Sequence, residues 1–432
     1  MSEDNLDLLF LGLSLVGVAW YWCLWALGLL GCWAARRRYR IRPRSPLATS
    51  TSAPGVSILR PLKGLDANLY ENLESTFQQE YHNFEIIFST KIIIGEEVIG
   101  VNPKVNNLIR SYRQASNDIL WVLDSNVMVH SGTLARSVDV LEGAPPPGSS
   151  VPRRKIAVVH HVPFAFANEA KFGSRLEETF LNTNHAKMYI AINTVAIESC
   201  VVGKSNLYRR SDIERVNGTL IPLSVEHNVD YQLPHGLPAF GRFLAEDNMI
   251  ASALWHELGL RHDLSCDVAR NVVGNMTIVD YIWRRVRWIR VRKHMVFVAT
   301  LLEPFTEAVV LSIIASFSFR YLLAIPPWIT IMLHYTIWLS VDLDVYASLA
   351  GHPLPAAIFW EFLAAWATRE LLALPIFLFA ISGNEVIWRG NCYQVLKDGE
   401  VKRVTPGQLS WLRRFFMQHS VGYYEPVMQS AH

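Results

Sequence analysis

Residues 54–77 read PGVSILRPLKGLDANLYENLESTF: an alternating apolar run at Val56, Ile58 and Leu59, a polar turn RPLKG, then an amphipathic stretch. Short alternating runs make strands, Gly and Pro punctuate turns, and apolar residues three and four apart make helices. A strand passing through a loop into a helix is the opening unit of an α/β domain. In open sheets of that class ligands bind beyond the carboxyl ends of the strands. Arg60, Lys63 and Asp66 fall there, as binding groups or as parts of a structural turn.

The same globular texture, with β-rich runs such as VSILR and IAVVH, extends from residue 50 to about residue 270, and the sequence on either side is different in kind. Residues 8–35 carry no charge, which is more than the roughly 20 apolar residues a helix needs to cross a bilayer. Glu3, Asp4 and Asp7 ahead of it, and its length, argue against a cleaved signal peptide. RRRYRIRPR follows, with Arg36, Arg37, Arg38, Arg40, Arg42 and Arg44, and positive flanks mark the cytosolic side. The run itself reads as a solvated linker touching anionic headgroups. Beyond Met295 come MVFVATLL, the uncharged stretch 321–341, which is the clear span, and AIFWEFLAAWATRELLALPIFLFAIS. Glu303, Pro304 and Glu307 near the first, and Glu361, Arg369 and Glu370 in the third, let interfacial or re-entrant helices compete with full crossings, so two or three C-terminal crossings are expected. The tail from Trp411 mixes aromatics with Arg413 and Arg414, as a surface-lying or a solvated segment would.

Composition agrees. Charged residues make up 18% of the 432, hydrophobic ones 51%, where soluble domains average about a quarter charged. Forty Lys and Arg against 38 Asp and Glu leave +2, with no single-sign field to recommend nucleic acid. Cys23, Cys32, Cys200, Cys266 and Cys392 form no CxxC pair, so they read as structural thiols.

Four further stretches carry candidate chemistry. GVNPKVNNL (100–108) sets Lys104, Asn106 and Asn107 as donors for hydroxyls or phosphates, although Asn and Pro also form turns. DILWVLDSNVMV (118–129) is an apolar strand ending at Asp124, with Asn126 two residues on. A strand-end Asx turn explains that position; with a nucleotide diphosphate present, Asp124 would instead hold Mg²⁺ or Mn²⁺, hard cations that take oxygen ligands. FLAEDNMIASAL (243–254) opens a helix with Glu246 and Asp247, where acids also satisfy free backbone N–H groups. WRRVRW (283–288) puts guanidiniums where they bind diphosphate or lipid headgroups.

The order of these pieces, a strand-end Asp, AED, R-x-x-R-W and then membrane helices, resembles lipid-directed inverting glycosyltransferases of the GT-A fold. The finer text, RPLKG with NPKVNN, the DSN strand end, RRVRW, the pair Arg369–Glu370 and WRG at 388–390, is similar to the ceramide glucosyltransferase family. The resemblance implies a membrane-bound enzyme taking UDP-glucose and ceramide, with Mg²⁺ or Mn²⁺, in the Golgi or endoplasmic-reticulum membrane. It implies a lumenal N-terminus (1–7), an anchor (8–35), a basic linker (36–53), a cytosolic GT-A domain (54–294), membrane or interfacial helices (295–383) and a tail (384–432). Asp124 matches the metal and diphosphate aspartate, and Asp247 the general base; Glu246 precedes it among the substrate-binding residues. Arg284, Arg287 and Trp288 match the motif that neutralises the leaving UDP, and Lys104, Asn106 and Asn107 match contacts to donor phosphate or sugar. His185 in NHAKMY matches a family histidine near the active site, with a satisfied structural histidine as the competing reading.

The chain departs from the family at one junction. NFEIIFST ends at Thr90 and KIIIGEEVIG begins at once, so the segment expected after the second strand, with its uridine-contacting aspartate, is absent. Parallel neighbours need a crossover of a dozen or more residues, so the two β-rich runs merge or the sheet lacks an element. A binding or regulatory form without turnover is therefore the second reading. A polysaccharide synthase is a third, disfavoured by the short C-terminal region. Residues 221–238 add a Pro-, His- and Gly-bearing surface loop.

Overall fold

The computed structural model describes residues 3–62, 64, 66–90, 97–143, 155–167, 171–223, 233–388, 391–396 and 398–404. Lys63, the run at 91–94, residues 224–232 of the added loop and the tail from Trp411 lie outside them. Helix α1 (Glu3–Tyr39) leads into β1 (Val56–Leu62), α2 (Leu69–Phe77) and β2 (Phe84–Thr90), the expected strand, loop and helix. Then follow α3 (Pro103–Gln114), β3 (Ile119–Leu123), β4 (Val127–Met128), α4 (Thr133–Glu142) and β5 (Ile156–Phe166). Helices α5 (Phe172–Phe180) and α6 (Ala186–Val195) are joined by a π-helical turn, Leu181–His185, and lead to β6 (Ser205–Arg209) and the short α7 (Arg210–Ile213).

The seven strands, completed by α8 (Glu246–His256) and β7 (Arg261–Val272), form one mixed sheet ordered β2-β1-β3-β6-β5-β7-β4. β1 is hydrophobic along its run because helices cover both faces of the sheet. Leu59 packs with Val105, Leu108 and Ile109 of α3, while Val56 and Ile58 pack with Trp121, Leu134 and Val138 on the other face. This is the α/β domain expected. Among the described residues β2 pairs only with β1, in parallel from Val56↔Phe84 to Leu62↔Thr90, and is half-exposed, as an edge strand is. The chain returns from that edge through α3 to β3 on the far side of β1.

Beyond the sheet, α9 (Ile278–Met295) is started by a capping box in which Thr277 and Asp280 exchange hydrogen bonds. It leads to α10 (Phe297–Leu302), α11 (Ala308–Leu323), α12 (Pro327–Ala350) and α13 (Phe359–Ile381). A small antiparallel sheet of β8 (Glu385–Trp388), β9 (Asn391–Val395) and β10 (Val401–Val404) follows. By length and composition, the described helical spans apolar enough to cross a membrane are 4–39 and 356–381, with a third if the pair 297–306 and 308–323, bent by 66°, counts as one. The uncharged window 321–341 is not one helix: it breaks at Ala324–Pro326, and α12 runs on through Asp342 and Asp344, which lowers its hydropathy.

The basic run, though largely exposed, is not the free linker expected: α1 continues to Tyr39 and four of the run's arginines meet acids. Arg36 and Arg40 pair with Asp344 of α12 at 2.5 and 2.8 Å, Arg38 with Asp263 at 2.8 Å, and Arg42 approaches Asp267 at 3.7 Å. These pairs tie α1 to the sheet and to α12. All five cysteines are unpaired.

Candidate active site

The site begins where Asn102 caps α3. Its side-chain oxygen accepts from the N–H groups of Lys104 and Val105, Pro103 supplies a preset first turn, and its amide nitrogen donates to Glu246 at 2.7 Å. One residue thus fixes the starts of α3 and α8 against each other. Lys104, on the first turn of α3, reaches Asp124 and Glu246 at 3.0 Å each and donates to the Gly203 carbonyl at 3.1 Å. The register Leu123↔Ser205 sets Lys204 across the strand end from Asp124, where its ammonium meets Asp124 at 3.0 Å and the Asn126 amide oxygen at 3.1 Å.

These contacts split the titrations of neighbouring acids. Burial alone would raise the Asp124 carboxyl, but Lys104 and Lys204 outweigh it and hold it well below the usual range. Asp247 goes the other way: burial first, then the Glu246 charge, push it up to about 7 against the pull of Lys104. Its carboxylate lies against the Gly203 backbone so closely that a Cβ on Gly203 would come within 2.3 Å of Oδ2. Glu246 does not cap α8, since its side chain turns to Asn102 and Lys104, and Ala245 at the cap position makes no side-chain bond.

Helix α9 forms the opposite wall. Residues three and four apart share a helix face, so Arg284, Arg287 and Trp288 point together into the cavity. Glu177 of α5, fully buried, takes Arg284 at 2.7 Å and Arg285 at 3.1 Å, and the Arg285 guanidinium lies 4.1 Å from the ring centroids of Phe180 and Trp288. His185 stacks on Tyr189 at 5.6 Å between Phe180 and Trp288. Burial, then Arg285, push its pKa down to about 3, so the ring is neutral at pH 7.

A continuous cavity of about 720 Å³ joins these walls. Lys104, Asn107, Asp124, Asn126, His185, Glu246, Asp247, Arg284, Arg287 and Trp288 all line it, as do Glu307 at the start of α11 and Arg369 of α13. Among the described residues, two sequence candidates do not. Arg60 is buried in β1, donating to the Val127 carbonyl at 3.1 Å, and burial pushes its pKa down to about 10 against Asp124 and Asp66. Asn106 ties up the turn before α3, accepting from Ile99 and Gly100 N–H and donating to the Gly100 carbonyl. Lys204, Asn102 and Glu177 were not singled out by the sequence, where the Gly-Lys pair at 203–204 ahead of a strand was a signal for the first; Arg285 was read only as one of the three arginines of WRRVRW.

Among the described residues no three Asp, Glu, His or Cys side chains converge on one metal position. Asp124 and Asn126 offer hard oxygens, each held by a lysine. That set suits a cation that takes one protein carboxylate and fills its shell from phosphates and water, once Lys204 gives way.

A family model described as glycosyl transferase family 21 matches residues 18–91, 89–235 and 234–401. The chain belongs to glycosyl transferase family 21. The family match breaks at the Thr90–Lys91 junction and again inside the added loop. Among family relatives, a ceramide glucosyltransferase of Komagataella phaffii is 34% identical over 463 aligned positions, 89% of this chain and 91% of its own. One of Pyricularia oryzae is 31% identical, over 92% of this chain and 96% of its own. Among solved structures, a mannosyltransferase from Pyrobaculum calidifontis in complex with GDP-Man and Mn²⁺ overlaps 86% of this chain and 97% of its own at 17% identity and TM-score 0.40.

Proposed function

We propose that this chain transfers glucose from UDP-glucose to the primary hydroxyl of ceramide, with inversion, giving glucosylceramide at the Golgi or endoplasmic-reticulum membrane. One observation carries the reading: Asp124 with its lysines, Asp247 and the R-x-x-R-W face line a single cavity that reaches the membrane helices. The relatives' names supply donor class and acceptor. Asp247 takes the hydroxyl proton as that oxygen attacks the anomeric carbon from the side opposite the departing diphosphate, so one displacement inverts the centre. An acid held near 7 is matched to that task at cytosolic pH. Lys104 and Arg287 face the charge that develops on the leaving UDP. Mg²⁺ or Mn²⁺ held by Asp124 and Asn126 would neutralise diphosphate charge.

A second reading, a membrane-bound binding or regulatory form without turnover, is favoured by the Thr90–Lys91 junction. Both are tested by glucosylceramide formation in membranes of a host without its own activity, given UDP-glucose, ceramide and Mg²⁺ or Mn²⁺. Product that disappears in Asp247→Asn supports the enzyme. No product from a folded, membrane-inserted chain supports the second reading.

A further inference from the structure

The membrane helices differ in where their ends are held. Helix α11 runs antiparallel to α1: Phe317 meets Phe10 at 6.0 Å and the Tyr321 hydroxyl donates to the Asp7 carbonyl at 3.1 Å, so its far end lies at the acid-bearing start of α1. Helix α12 then returns alongside α1, with His334 beside Tyr21, Trp338 beside Trp25 and Asp344 on Arg36 and Arg40. The two make a hairpin as deep as α1 itself.

Helix α13 goes nowhere comparable. At its start Glu361 takes Arg175 of α5 at 3.2 Å. At its end Arg290 of α9 donates to the Ala380 and Glu385 carbonyls, and Lys293 to those of Ile381 and Gly383. Between them Ala365, Ile376, Phe377 and Ala380 pack with Tyr281, Val286 and Ile289 of α9. Its mid-point carries Arg369, buried against Glu307 at 2.5 Å and against Glu370. Charges in mid-helix are costly at a bilayer centre and ordinary where a helix lies on protein.

Counting gives the same result. The chain leaves the α/β domain at α9 and rejoins it at β8–β10, where Glu400 bridges to Phe243 and pairs with Arg242 at 2.8 Å. An even number of crossings must intervene, and α11 with α12 supplies two.

We propose that α1, α11 and α12 are the membrane crossings, and that α13, although long and apolar enough to span, lies in the cytosolic interface of the bilayer. Its outer residues Trp360, Leu371 and Leu378, 77%, 68% and 58% exposed, rest in lipid. Its inner residues Ala373, Ile376 and Phe377 form the bilayer-side wall of the cavity. The inference stands on packing and does not depend on the substrate.

Sealed vesicles with the cytosolic face outward, carrying the full chain with Leu323→Cys, His352→Cys or Ser382→Cys, test it with a membrane-impermeant maleimide, read against the parent chain's own labelling. Expected is labelling of the His352 and Ser382 variants without detergent, and of the Leu323 variant only after detergent opens the vesicles. Opposite behaviour of the His352 and Ser382 variants would make α13 a crossing and overturn the proposal. Labelling of the Leu323 variant in sealed vesicles would remove the α11–α12 crossings and overturn it equally.

Discussion

Glu246 and Asp247 are neighbours with opposite surroundings, and the difference assigns their work. Glu246 is neutralised by Lys104 and tied to Asn102, while Asp247 faces the cavity with its carboxyl pushed up to about 7. Asp247→Asn should lower transfer by roughly 10²–10⁴-fold, the usual worth of a general base, while UDP-glucose binding, read by calorimetry, stays within a few-fold. Turnover of the parent chain should fall on the acid side with a midpoint near pH 7. The stability sign follows from the same shift. A carboxyl raised in the folded state favours folding when protonated and loses that contribution as pH rises through its folded pKa. Asp247→Asn should therefore unfold at a higher temperature than the parent at pH 8, by a margin that narrows as the pH falls and closes only at about pH 4, the ordinary range of an unfolded Asp. Gly203→Ala should cost most of the activity because its Cβ would displace Asp247. Asp124, Lys104, Glu246 and Asp247 were legible because they sit at a strand end and at helix starts, and the arginine motif, in the middle of α9, through the family resemblance. Lys204 and Glu177 were not: each is an ordinary charge in its own segment, and only strand register or helix packing brings it to the site. Arg60 shows the reverse error, since its place on a strand end could be read but the direction of its side chain could not.

Between elements, Glu177 joins α5 to α9 and holds two arginines beside the cavity. Removing one partner from a buried ion pair typically costs about 3–5 kcal/mol, because the remaining charge stays buried without compensation. Glu177→Ala should lower stability by about that much, measured by thermal unfolding in detergent. Glu177→Gln, which keeps an acceptor for Arg284, should keep more stability while weakening UDP binding through looser arginines. Equal stability in Glu177→Ala and the parent would mean that the capping box and aromatic packing alone fix α9. The element pattern itself was readable over β1, α2 and α3, where alternation, turn-forming Gly, Pro and Asn, and helical spacing agree. It misled at α12, where an uncharged window of sequence concealed a helix break at Ala324–Pro326. It misled again at the basic run, whose acid partners lie more than 200 residues away in sequence.

For the whole molecule the open question is what the Thr90–Lys91 junction does to the donor half of the cavity. Asp124 follows β3, which pairs with β1 and β6, while Asp247 lies on α8 and the arginine face on α9, so none of them is placed by pairing with β2. The edge beyond β2 is where another parallel strand and its helix would add, and the family match breaks there. The lost function should therefore be donor affinity, with the reacting geometry left standing. A hydrogen bond to a charged group contributes about 1.5–3 kcal/mol, roughly 10- to 100-fold in affinity. Inserting the corresponding segment of the Komagataella phaffii relative between Thr90 and Lys91 should lower the KM for UDP-glucose by about that factor and change kcat much less. A rise in kcat with KM unchanged would place the segment's influence on the reacting groups instead. No change in either would mean that the cavity wall at Pro61, Asp66 and Ala67 binds the nucleotide without it.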